Sequence, residues 1–107
     1  MRADPSAVMR ALGDPTRRGM FERIVRGRDL TVGALVRGGT ISQPAVSQHL
    51  KTLREAGLVN ERRDGRNVHY NAAPGGLGPL VDWLGHYGVF WRDRVGRLEK
   101  LLKEIDP

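Results

Sequence analysis

The sequence predicts a mainly α-helical domain with one small β-hairpin, an α+β class, closed by a long C-terminal helix. Three observations predict it. Apolar residues recur at helical spacing in five separate segments, each bounded by Gly or Pro. A single Asp-Gly pair, Asp64-Gly65, lies between two short runs of strand-forming residues. The last apolar stripe is far longer than the others and runs from Leu77 to Ile105.

Each element has its own signal. Val8, Met9 and Leu12 space a short first helix that Gly13 closes. Asp14-Pro15-Thr16 opens a second, with a side-chain oxygen as cap and Pro in the first turn. Its apolar residues Met20, Phe21, Ile24 and Val25 are expected to face inward, and Gly27 ends it. Leu30 to Val36 reads as a third helix, stopped by Gly38-Gly39. Ser42 caps a fourth that runs to about Ala56, with Gly57 as its stop. Leu58–Arg63 and Arg66–Asn71 read as the two strands, and residues 72–78 as a Pro/Gly linker. In the last helix Leu84, Gly88, Trp91, Val95, Leu98, Leu102 and Ile105 follow a 4-3-4-3 spacing. Two short helices joined by a Gly turn and followed by a hairpin make a winged helix-turn-helix. Residues 1–107 form one domain in this reading, with 1–71 as binding core and wing and 77–105 as a dimerisation helix.

Composition narrows the function. With 107 residues, 39% hydrophobic and 28% charged, the chain is expected to be globular, with room for one modest core. It has no cysteine, which excludes disulfides, a thiol nucleophile and thiolate metal ligands. No apolar run is long enough to span a bilayer, and no apolar stretch follows Met1-Arg2-Ala3-Asp4-Pro5 as it would in a leader, so the expected location is the cytoplasm. There is no Gly-rich phosphate loop and no nucleophile with a matched base, so neither an enzyme nor a cofactor is expected. The net charge is +6, and all of the excess lies in residues 1–70; residues 71–107 are neutral. A polyanionic partner would use the first two thirds and leave the tail for another task.

The fourth helix has the face that a DNA groove requires. At 100° per residue, Val46, Leu50 and Leu53 fall on one buried stripe, and Gln48, Lys51 and Glu55 lie opposite, flanked by Ser47 and Thr52. Gln bonds an adenine edge in bidentate fashion, and Ser bonds several bases. N-terminal residues reach deepest in this mode of docking, so Gln43, Ser47 and Gln48 are the base-reading candidates. Lys51, Thr52 and Arg54 are placed for backbone phosphates. His49 borders the buried stripe and reads as a packing residue. Arg62, Arg63 and Arg66 surround the hairpin turn, where arginine can follow phosphates or enter the minor groove. A solubilising sheet edge is the plainer reading of the same charges. Arg17 and Arg18 could touch flanking phosphates.

The string Ser42-Gln43-Pro44-Ala45-Val46-Ser47-Gln48-His49-Leu50, followed by Leu53-Arg54-Glu55-Ala56-Gly57-Leu58-Val59, resembles the recognition helix of the ArsR/SmtB family. Leu12-Gly13-Asp14-Pro15-Thr16-Arg17 is similar to that family's opening motif, and Arg62-Arg63-Asp64-Gly65-Arg66 with Tyr70 to its wing. The resemblance implies a winged-helix homodimer on double-stranded DNA that represses transcription by blocking a promoter, and a two-fold dimer with two recognition helices is expected to read an inverted-repeat operator. Many members sense metals, and this chain departs from them. Thr31 and Gly33 stand where thiolates would be, and Asp82, His86 and Glu99 lack a second His, so no metal site is expected. The tail, with Trp83 to Tyr87 and Phe90 to Arg94, resembles a subgroup without metal sites. Leu84, Trp91, Val95, Leu98 and Leu102 are the expected dimer contacts. The alternative is a winged-helix module for a protein or RNA partner, without operator recognition. Any small-molecule effector stays unidentified at this level.

Overall fold

The computed structural model describes residues 4–105. Residues 1–3, where the reading of a leaderless start begins, lie outside the described residues. Eight elements follow one another: α1 (Ser6–Gly13), α2 (Pro15–Gly27), β1 (Leu30–Thr31), α3 (Val32–Arg37), α4 (Gln43–Glu55), β2 (Val59–Asp64), β3 (Asn67–Ala72) and α5 (Gly78–Ile105).

The starts of α2 and α4 are capped as the sequence dictates. Asp14 Oδ1 accepts from the Thr16 N–H at 3.1 Å, and Pro15 sits at the first helical position of α2. Ser42 Oγ accepts from Ala45 N–H at 3.3 Å and starts α4. At the other end of α4, Gly57 takes φ +78°, so its N–H reaches the Arg54 carbonyl and the Leu58 N–H the Leu53 carbonyl. This is a Schellman ending, and Leu53 and Leu58 are both fully buried beside it.

Three expectations are corrected. Leu30–Thr31 is a strand, not the first turn of α3. It pairs with β3 through Leu30↔Tyr70 and Thr31↔His69, giving a three-stranded antiparallel sheet in the order β1-β3-β2. Thr31 then caps α3, its Oγ1 accepting from Ala34 N–H at 3.1 Å. The hairpin turn is Gly65-Arg66, one residue later than expected, closed by the pair Asp64↔Asn67. Gly65 at φ +61° supplies the left-handed first position that a type II′ turn needs. Val25, expected inward, is 48% exposed; it stands about 100° round α2 from Ile24, off the stripe that faces the core.

The core lies between α1, α2, α3, α4 and the sheet. Val8, Ile24, Leu35, Val46, Leu50, Leu53 and Leu58 are its largest fully enclosed side chains, with Tyr70 sealing the sheet side. α5 stands apart. None of its 28 residues is buried, and only Leu80, near its start, packs against the core. The radius of gyration is 17.6 Å, where a compact domain of this length would have about 13 Å. Among the described residues no helix is long and apolar enough to cross a membrane.

Candidate nucleic-acid interface

α4 is anchored by Val46, Leu50 and Leu53, all fully buried, so its opposite face must be outward. Gln43, Ser47, Gln48 and Lys51 are exposed there. Thr52 is half-buried and donates its hydroxyl to the Gln48 carbonyl of its own helix at 3.2 Å. His49 is the half-buried packing residue expected. Its Nδ1 is enclosed without a hydrogen bond, 3.8 Å from Asp14 Oδ2, so it wedges α4 against the start of α2.

The arginines divide into two sets. Arg54 donates to Glu61 Oε2 at 2.8 Å, and the Tyr70 hydroxyl donates to the same oxygen at 3.1 Å. This ties α4 to both wing strands. Arg62 is bound to Asp29 at 2.8 Å and lies 3.8 Å from Asp64, so its guanidinium leans on the loop before β1 rather than projecting from the tip. Arg63 and Arg66 are exposed, and Arg66 stands in the turn itself. Arg17 and Arg18 both bond within the chain, Arg17 half-buried and Arg18 exposed. Arg17 donates to the carbonyls of Ala11 and Arg10 at 2.6 and 2.9 Å, and Arg18 to that of Leu12 at 2.7 Å. Both satisfy the open carbonyl end of α1. Sequence reasoning also missed Arg23, which does the same for α3 through Leu35 and Ala34. Its guanidinium fills the space where a side chain at Gly38 would stand, and that glycine was the available signal.

The reading face and the wing tip meet. A cleft of about 420 Å³ runs between α3, the N-terminus of α4 and the turn, with Gln43, Arg37, Arg66 and Asn67 on its walls. Polar groups for base edges and cations for phosphates therefore share one surface. Among the described residues no group of three or more His, Cys, Asp or Glu side chains is placed to hold a metal ion.

The second exposed feature is α5. Leu84, Trp91, Val95, Leu98 and Leu102 are each at least 49% exposed. Gly88 leaves a shallow trough between Leu84 and Trp91. A flanking aromatic row adds Trp83 and Tyr87, with ring centres 5.0 Å apart, and Phe90 under the Arg94 guanidinium at 4.2 Å.

Comparison with known proteins agrees with this geometry. Residues 12–62 match a helix-turn-helix domain family. The HTH-type transcriptional regulator Rv2034 of Mycobacterium tuberculosis is 46% identical over 76 residues, covering 71% of this chain and 70% of that one. The transcriptional repressor SdpR of Bacillus subtilis is 31% identical over 77 residues, covering 72% and 84%. Among solved structures, an ArsR-like transcriptional regulator from Rhodococcus sp. RHA1 superposes with a TM-score of 0.71 at 27% identity, covering 90% of each chain.

Proposed function

Because the chain belongs to the ArsR family of winged helix-turn-helix transcriptional regulators, DNA-binding proteins and not enzymes, we propose that it is a homodimeric repressor reading an inverted-repeat operator. One observation carries the reading: Gln43, Ser47 and Gln48 are exposed on the N-terminal half of a helix whose opposite face is locked in the core, beside a wing tip bearing Arg66. The relative SdpR is named a repressor, which supports the direction of control.

In this reading α4 enters the major groove. Gln43 and Gln48 select bases through bidentate bonds to adenine edges, and Ser47 adds a short contact. Lys51 and Thr52 lie along the phosphates, and Arg63 and Arg66 follow them from the wing. Arg54 and Arg62 hold the wing to α4 and to the loop before β1. The apolar face of α5 pairs with that of a second copy, around Leu84, Trp91, Val95, Leu98 and Leu102. The two-fold axis sets the half-sites about one helical turn apart, roughly 34–36 Å along the duplex.

The test is selection of bound fragments from random duplex DNA, followed by affinity measurements on the selected and a scrambled duplex. Gln48→Ala is expected to cost about 1–3 kcal/mol on the selected site and much less on the scrambled one. Equal losses on both would remove α4 from the major groove.

A further inference from the structure

The cleft between α3, α4 and the wing holds a residue that the sequence did not single out. Arg37 ends α3 and is exposed. Its guanidinium lies back along the helix, Nη1 3.2 Å from where a side chain on Gly33 would begin, so the bare backbone of Gly33 makes room for it. Arg66, in the hairpin turn, lines the same cleft, as do Gln43 and Asn67. Among the described residues neither Arg37 nor Arg66 makes an ion pair with a carboxylate, whereas Arg54 and Arg62 are held by Glu61 and Asp29 at 2.8 Å.

Two unpaired guanidiniums facing one polar cleft suit a group with several anionic oxygens, since each fork can bond two of them. We propose that this cleft seats a DNA backbone phosphate, clamped between Arg37 of α3 and Arg66 of the wing. The clamp positions Gln43, which lines the same cleft, against the adjoining base edge. Arg54 and Arg62, already neutralised within the protein, release no counterions from DNA. The inference rests on the reading of α4 as the groove-entering helix, and it adds α3 to the contact surface.

The experiment measures affinity of the full chain for a duplex of fixed scrambled sequence across a salt series. Each phosphate neutralised contributes about 0.9 to the slope of log affinity against log salt. The double variant Arg37→Ala/Arg66→Ala is expected to flatten that slope by about 0.9 per protomer, the share of the one phosphate both arginines hold, and not by about 1.8 as two separate phosphates would. Arg37→Lys is expected to keep the wild-type slope, because an ammonium also neutralises a phosphate. Arg62→Ala is expected to leave it unchanged. A wild-type slope for the double variant overturns the clamp, and so do a loss of about 1.8 and an Arg62→Ala slope as shallow as that of the double variant. If the clamp fails while Gln48→Ala still separates selected from scrambled duplex, the reading of α4 stands. If the wild-type protein shows no salt-dependent binding to duplex, that reading falls and the clamp falls with it.

Discussion

Arg28 adopts φ +70° and ψ −45° directly after α2, and the Asp29 N–H reaches back to the Gly27 carbonyl at 2.8 Å. This is a γ-turn, a conformation that strains a residue with a Cβ by about 1–3 kcal/mol. Glycine would relieve the strain but lose up to about 1 kcal/mol to the greater freedom of the unfolded chain. Arg28→Gly is therefore expected to raise the urea midpoint, by a net gain of about 1 kcal/mol; a lower midpoint would refute the strain. At this scale the caps were legible, because Asp14, Ser42 and Gly57 each have one obvious task at a helix end. The inward-turned arginines were not. A guanidinium suits a phosphate and a carbonyl equally well, and only the fold brings Ala11 and Leu12 within reach of Arg17 and Arg18.

Among the elements, the wing and α4 are coupled through one carboxylate. Glu61 accepts from Arg54 and from Tyr70, and its neighbourhood decides how Tyr70 titrates. Burial raises the Tyr70 pKa above 10.0 most strongly, followed by the hydrogen bond to Glu61 and the repulsion of its charge; Arg54 and Arg63 pull the other way. A raised folded value means that the folded protein holds its phenolic proton more tightly than the unfolded chain does. The corresponding stability is fully present below pH ~10 and is lost as pH rises through the folded pKa. Urea midpoints measured from pH 8 upward are expected to fall more steeply for the wild-type chain than for Tyr70→Phe. Parallel curves would dissolve the coupling. The buried stripe of α4 was legible because three apolar residues at helical spacing leave little choice. β1 was hidden because Leu30 to Val36 keeps a helical period throughout, and a strand of two residues has no alternation to show. The turn slipped by one residue because Asp64-Gly65 and Gly65-Arg66 both place glycine where a hairpin can use it.

For the molecule as a whole, α5 is the element on which the proposed dimer rests. A helix with no buried residue, packed on its own domain only near its start through Leu80, gains little there, and helices in water owe most of their stability to packing. Burying the face of Leu84, Trp91, Val95, Leu98 and Leu102 against a second copy stabilises it by about 25 cal/mol per Å² of apolar surface. Leu98→Glu is expected to give a monomer in sedimentation and to weaken binding to the selected operator by the loss of two-headed avidity. A Leu98→Glu dimer with unchanged affinity would locate the interface elsewhere. The length and apolar spacing of this helix were plain in the sequence. Its detachment from the core was not, because a stripe of leucines reads alike whether it faces a core or a partner.

On the proposed dimer, that detachment would tie the protein's lifetime to its abundance. There, a protomer without a partner carries a helix of about 42 Å with nothing to hold it wound. Its melting temperature should climb with concentration, as mass action requires of any fold completed by association. At low dose the same segment becomes an unstructured tail rich in leucine and tryptophan, the kind of site at which proteases begin. Surplus single copies would then be cleared while paired copies persist, and the pool of protein able to hold DNA would fall faster than total synthesis.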